Sequence, residues 1–554
     1  MAAAAAIASC AGTDLLAADP DMPPGVKGSS SVGRDIAILN ASIWTLDPRQ
    51  PRAQAALVRG GRIALVGSNA EVRQHSRGAP TFDAGNKTVV PGFVDTHTHF
   101  ELACCYYAGL QLDVHSPPMV SLQQMFAALR ERQSRTADGQ WIVARGSFGF
   151  DSTVQEKRLP SRLELDAISD RHPIVVMAGL HRVAMNTLGF KKLGLWDPTA
   201  AAALRFRDGR PRVGTDVARD SEGTPTGSAT EIFDLLPTLH SIEDKREAIR
   251  HQAVPHFSAK GLTSLATIPL QHDDLIVDQQ LQVAGALPLR LRFYYTVPLV
   301  VSLNAVLEGE LLPGAGDDML RYGGVKVFPS GAGVDAAGKT TDDMKFTQDE
   351  FDDFVWRVHS AGQQLLMHEE GGLSLAWGLS AVEKAQQRRP LPLRHRMEHS
   401  YLLEDIEQIR RARRLGMRIT TTPMQSRFAA LYPIPRYATL IREGIEPAAV
   451  SDATGTVPEF SPLTAIASIV APQSEGGSAP TGESPGIEDA IRMWTLWAAR
   501  AQFEEADKGS IERGKLGDFA VLSDDLDRIH GGALFDTKVA ATILGGKVVY
   551  QRPA

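Results

Sequence analysis

Cysteine is nearly absent: only Cys10, Cys104 and Cys105 occur in 554 residues. So sparse and odd a set makes no disulfide framework, and the adjacent pair lacks zinc-finger spacing. Any bound metal must then be held mainly by nitrogen and oxygen. Long hydrophobic runs are also missing, since no stretch approaches the roughly 20 apolar residues that span a bilayer. Nor is there a surplus of positive charge. With 58 basic and 65 acidic residues the net charge is −7, which speaks against nucleic acid as a partner and against a basic membrane anchor. What remains is the composition of an ordinary globular chain, 43% hydrophobic and 22% charged. A homo-oligomer stays open.

Residues 1–33 form an Ala/Gly/Ser-rich leader. Ile7-Ala8-Ser9-Cys10 resembles a lipoprotein cleavage box, yet no Lys or Arg precedes it, so a complete signal peptide is lacking. Two readings stand: a disordered leader on a cytoplasmic protein, or the remnant of an export signal whose true start lies upstream of Met1.

From Asp35 the texture becomes β-rich, and Ala56–Gly67 reads as a hairpin around Gly60-Gly61. The same texture returns at Asp518–Leu522 and at Val539–Tyr550 around Gly545-Gly546. Residues 34–90 plus 505–554 are therefore expected to build one small β-domain, with 91–504 inserted between them. Within that middle, short apolar runs alternate with helical stretches, the pattern of βα units. Eight candidate strands begin at Val94, Leu262, Leu289, Gly324, Leu365, Arg396, Arg418 and Ala448. Eight is the number that closes a barrel. The stretch of about 105–250 is too long for one connection and carries its own strand, Pro173–Ala178. The fold class is α/β: a (β/α)8 TIM barrel with a small β-sandwich domain from both termini and an inserted lid subdomain.

The strongest chemical signal is Pro91-Gly92-Phe93-Val94-Asp95-Thr96-His97-Thr98-His99. Residues two apart in a strand share a face, so His97 and His99 can hold one divalent cation together. His368, His399 and Asp452 each close a further apolar run, and strand ends converge at a barrel mouth. Four histidines and an aspartate suit Zn²⁺ or a similar ion. Taken singly, His368 and His399 read better as hydrogen-bonded core histidines and Asp452 as the cap of a following turn; taken together, such coincidences are improbable. Lys326 lies in Gly323-Gly324-Val325-Lys326-Val327-Phe328, where an isolated ammonium is costly to bury. A CO2 adduct would make it an anionic carbamate; the alternative is a lysine snorkelling from a strand end.

Taken in order, these segments resemble the amidohydrolase superfamily, in particular its YtcJ-like, N-substituted formamide deformylase-like branch. Supporting stretches are Trp141–Gly146, Gly179-Leu180-His181 with Asn186, Thr224–Gly227, Arg394–His399, Ser451-Asp452 and Gly509–Asp518. The resemblance implies two zinc ions: His97, His99 and Asp452 on one, His368 and His399 on the other, with carbamylated Lys326 bridging. It also implies hydrolysis of a non-peptide C–N bond (amide, formamide or carbamate) by metal-activated hydroxide, with Asp452 as the catalytic proton carrier. His181 and Arg145 are candidate substrate contacts. A single-metal enzyme with unmodified Lys326 is the competing site. The competing functions are a deaminase or decarboxylase on the same scaffold, or a non-catalytic regulatory protein. The chain departs from the family pattern at Pro329-Ser330-Gly331, at Glu369-Glu370-Gly371-Gly372 and at Ser147, so the formamide substrate is not carried over.

Overall fold

A computed structural model describes residues 33–553 apart from 116–118, 147–149, 213–214, 332–343, 370, 401–402, 404, 425–434, 454–459, 472–481 and 530. The leader with its Ile7–Cys10 box, Ser147 and Glu370 lie outside the described residues.

Eight parallel strands form one sheet: β1 Phe93–Thr98, β2 Leu262–Thr267, β3 Arg290–Val297, β4 Leu320–Val327, β5 Leu365–His368, β6 Arg396–Glu398, β7 Arg418–Thr421 and β8 Ala448–Ala449. Their spatial order is their chain order, β1 to β8. Backbone bonds then join the two ends: the Asp452 N–H donates to His97 C=O at 3.0 Å, and the His99 N–H donates to Ala453 C=O at 2.9 Å. The chain is a (β/α)8 barrel. Its strands read as near-continuous apolar runs because helices cover the outside. Those helices carry strong start signals. Thr347 with Glu350 makes a capping box on Gln348–Ser360, and Ser241 with Asp244 makes one on Ile242–His256.

Three strands differ from the sequence reading in an informative way. β4 starts at Leu320 rather than Gly324, and the ladder with β3 slips by one residue between Phe293/Tyr294 and Tyr322/Gly324. Gly324 has φ +141°, and a Cβ there would lie 2.3 Å from the Gln364 carbonyl oxygen. The bulge re-aims every side chain after it, Lys326 included. β6 and β8 stop short of His399 and Asp452, whose φ values of 71° and 51° take the chain out of the extended region.

Outside the barrel, a four-stranded sheet from residues 36–83 faces a six-stranded sheet built from residues 42–91 and 519–551. Ile38, Ile43, Val58, Val89, Phe519 and Ile543 fill the space between them. This is the small β-sandwich made from both ends of the chain. A further six-stranded sheet, spanning Leu112 to Thr230 with Ile174–Ala178 near its centre, is the inserted subdomain. No described helix is long and apolar enough to cross a membrane.

One buried ion pair ties the sandwich to the barrel. Arg290, at the start of β3, donates to both oxygens of Asp518 at 2.7 and 3.0 Å, and Asp518 also accepts the Gly545 N–H at 2.7 Å. Removing one partner strands a buried charge, which costs about 3–5 kcal/mol. Asp518→Asn is expected to lower the unfolding free energy measured by urea melts by that order, while Arg290→Met with Asp518→Leu recovers much of it. Equal losses in the single and double variants would show that the pair is not what holds this junction.

Candidate metal centre

The seam of the barrel assembles the first group of candidate ligands. Alternation along β1 sends Asp95, His97 and His99 to one side. Asp95, lowest of the three, accepts the Ser451 N–H at 3.2 Å and the His97 N–H at 3.2 Å, so it fastens the segment after β8 to β1. Burial raises Asp95 to about 7. One residue past Ser451, Asp452 turns through its left-handed conformation. Its Oδ1 comes to 3.5 Å from Nε2 of His97 and 3.5 Å from Nε2 of His99. Such a backbone costs a non-glycine residue about 1–3 kcal/mol and persists where its surroundings over-determine it.

The far side of each ring is anchored. His97 Nδ1 donates to Glu398 Oε2 at 2.5 Å, and His99 Nδ1 donates to the Ile268 carbonyl at 2.9 Å. Both acceptors lack a proton to give, so Nδ1 carries the hydrogen and Nε2 presents its lone pair. Glu398 is itself held by Arg396, at 2.8 and 2.9 Å, and Arg396 donates to the Thr96 carbonyl at 2.6 Å. Burial opposes a charge on Glu398, but Arg396 and His97 outweigh it and hold the carboxyl well below its usual range. His399 Nδ1 lies 3.1 Å from Thr422 Oγ1.

His97, His99 and Asp452 have donor atoms all within 4.8 Å of one another, and they form the one such group among the described residues. His399 and His368 stand beside it without joining that set: ring centroids are 4.8 Å apart from His97 to His399 and 4.8 Å from His399 to His368. Lys326 projects into the same interior. It is fully buried, its Nζ has no hydrogen-bond partner among the described residues, and it lies 4.8 Å from the centre of the Phe328 ring. A lysine at this depth is expected to be compensated.

Electrostatics leave these groups ready to ligate. Burial, with Lys326 adding to it, pushes His97 down to about 4, and burial also takes His368 and His399 well below their ordinary value. All three imidazoles are then neutral near pH 7. Burial pushes the Lys326 ammonium down to about 8, with Glu398 and Asp452 opposing. For Asp452 burial works against ionisation, but the closeness of the His99, His97 and His399 rings prevails and keeps it below the usual carboxylate range. Nitrogen lone pairs, one carboxylate and an uncompensated buried amine fit a borderline divalent cation of the zinc type.

The two candidate substrate contacts come from the insertion. His181 is 8% exposed, with its ring centroid 4.7 Å from His368 and 5.7 Å from Phe328. Arg145 is the penultimate residue of the inserted strand Ile142–Gly146 and is wholly buried, with Nη1 3.9 Å from Met177 Sδ. Burial lowers it to about 10, and the charge of Asp452 opposes that shift. Sequence reasoning passed over Glu398, Asp95 and Thr422 as anchors. Glu398 had a signal, since Arg396 and Glu398 alternate onto one face of an interior strand. The Ile268 carbonyl had none, because any residue supplies one.

Comparison with known proteins covers the same ground. The family described as "Amidohydrolase family" matches residues 80–550. The N-substituted formamide deformylase of Arthrobacter pascens is 26% identical, over 94% of this chain and 99% of that protein. The putative amidohydrolase YtcJ of Bacillus subtilis (strain 168) is 24% identical, over 92% and 98%. An uncharacterized metal-dependent hydrolase from Pyrococcus horikoshii OT3 superposes with a TM-score of 0.65 at 18% identity, over 89% of this chain and 98% of that one, and so shares the fold. With the match running from the sandwich through the barrel and back, the chain is an enzyme that belongs to the amidohydrolase family.

Proposed function

We propose that the protein hydrolyses a non-peptide C–N bond in a small molecule, an amide, formamide or carbamate. The observation that carries this reading is the preformed trio of His97, His99 and Asp452, with both Nε2 atoms 3.5 Å from one carboxylate oxygen. His97, His99 and Asp452 would hold one cation, and His368 and His399 a second. Two zinc ions there would acidify a water and polarise the scissile carbonyl.

The chain's own groups do the rest. Asp452, ionised near neutrality, takes a proton from the attacking water and returns it to the departing nitrogen, so one C–O bond forms as one C–N bond breaks. Glu398 and the Ile268 carbonyl keep His97 and His99 in one tautomer throughout. Lys326 would react as the neutral amine with CO2, forming an N–C bond and releasing one proton, and the carbamate would offer an anionic oxygen donor beside the two ligand groups. Its orphaned Nζ and lowered pKa support that step. The formamide named for the Arthrobacter relative is one member of this substrate class.

Protein purified with bicarbonate is expected to contain about two zinc ions per chain by elemental analysis, and Lys326→Ala one or fewer. One ion in both would leave a mononuclear enzyme. Glu398→Gln is expected to weaken zinc binding roughly 10- to 100-fold in chelator competition. Unchanged affinity would remove Glu398 from the site.

The lysine's lowered pKa sets a direction for reconstitution. Below pH 8 the ammonium increasingly replaces the reactive amine, so at fixed dissolved CO2 the activation of metal-free protein slows by about tenfold per pH unit. A rate independent of pH between 6 and 8 would count against the carbamate.

A further inference from the structure

The base of the barrel carries a cavity that the chemistry above does not use. It opens at the N-terminal ends of β6 and β7, on the face away from the candidate metal ligands, and holds about 410 Å³. Sites for small ligands commonly fall between roughly 300 and 1,000 Å³. Two short segments build it. One is Pro390-Leu391-Pro392-Leu393-Arg394, which links the helix Gly372–Arg388 to β6. The other is Arg414-Leu415-Gly416, which closes the helix Ile406–Arg414 and leads to Arg418 at the start of β7. The first segment is firmly held. Gln386 donates from Nε2 to the Leu391 carbonyl at 2.9 Å and accepts the Leu391 N–H on Oε1 at 3.0 Å. A proline on either side of Leu391 fixes φ there. The cavity is therefore shaped before anything enters it.

Its wall combines apolar surface with positive charge. Leu391, Leu393 and Leu415 are half-buried along it. Arg394, Arg414 and Arg418 add three guanidiniums, and no acidic residue lines the cavity among the described residues. The carboxylates paired with these arginines are too few to balance them. Arg394 donates to Glu505 at 2.7 Å, Arg418 donates to Glu446 at 2.8 Å, and Glu446 also accepts from Arg500. Arg414 is exposed and makes no hydrogen bond or ion pair among the described residues. Nε of Arg418 is buried and has no partner among them either. Burial lowers the Arg418 guanidinium below its ordinary value; Glu446 opposes that shift and the charge of Arg394 adds to it. Arginine keeps its proton in proteins, so an entering anion is what relieves the crowding.

We propose that this cavity binds a small monocarboxylate with an apolar body, its carboxylate on Arg414 and Arg418 and its body along Leu391, Leu393 and Leu415. A guanidinium fork matches a carboxylate through two parallel hydrogen bonds. The leucine wall favours such a ligand over a bare inorganic anion, because apolar surface leaves water on both sides. The site stands apart from the metal centre and does not depend on which bond the enzyme cleaves.

The test is calorimetric titration of the full-length, zinc-loaded protein with 3-phenylpropanoate, beside 3-phenylpropan-1-ol and inorganic phosphate. Wild type is expected to bind the carboxylate roughly 10- to 100-fold more tightly than the neutral alcohol. It also binds the carboxylate more tightly than phosphate. Arg414→Gln loses most of the preference over the alcohol. Leu391→Asn, which keeps the backbone bonds to Gln386, weakens carboxylate binding by roughly three- to tenfold. Thermal melts check that both variants are folded. Hydrogen exchange on wild type locates the ligand, with slower exchange of backbone amides within 391–394 and 414–418 when 3-phenylpropanoate is present. Equal carboxylate affinity in wild type and Arg414→Gln, as a carboxylate bound on zinc would give, overturns the proposal. So does phosphate binding as tightly as 3-phenylpropanoate, the absence of saturable binding, or unchanged exchange at both segments.

Discussion

The closure of the barrel between β1 and the segment after β8 is the constraint on which the site depends. Backbone bonds from Asp452 to His97 and from His99 to Ala453 complete the cylinder, and the same bonds set the Asp452 side chain between two imidazoles. Asp95 reinforces the seam by accepting the Ser451 N–H. Folding and site assembly are therefore one event. A barrel that failed to close would lose Asp452 from the histidines and leave Asp95 without its Ser451 partner. The left-handed turn at Asp452 is affordable because both flanking segments are already pinned.

A second theme is how the barrel carries so much buried charge. Arg396, Glu398 and Lys326 are all fully buried, and the first two satisfy one another bidentately. Isolated charges at such depth are expensive, so they persist where geometry is good or where a further group completes the balance. Glu398 illustrates the first case, with three partners in Arg396, His97 and Thr420. Lys326 is the second case, an amine aimed into a cluster of lone pairs with nothing described to receive it.

The additions to the barrel divide their work. The sandwich is joined below, through Arg290 and Asp518 at the start of β3, where strand ends serve stability. The inserted sheet approaches from the mouth, where it contributes His181 and Arg145 to the surroundings of the candidate metal ligands.

By itself the sequence determined the periodic features. Alternation in Asp95-Thr96-His97-Thr98-His99, eight apolar runs, and β-rich ends around Gly60-Gly61 and Gly545-Gly546 are local patterns, legible because strand geometry repeats every two residues. His368, His399 and Asp452 could be read as candidates because each closes such a run. Tertiary structure alone decided the rest. Whether Lys326 faces inward depends on the bulge at Gly323-Gly324, and a one-residue slip in register reverses every side chain beyond it. The pairing of His97 with Glu398 spans 301 residues, that of His181 with Glu231 spans 50, and the anchor for His99 is a bare carbonyl. Contacts between distant segments, and contacts made by backbone atoms common to every residue, leave no periodic trace in a chain, so only the closed barrel could specify them.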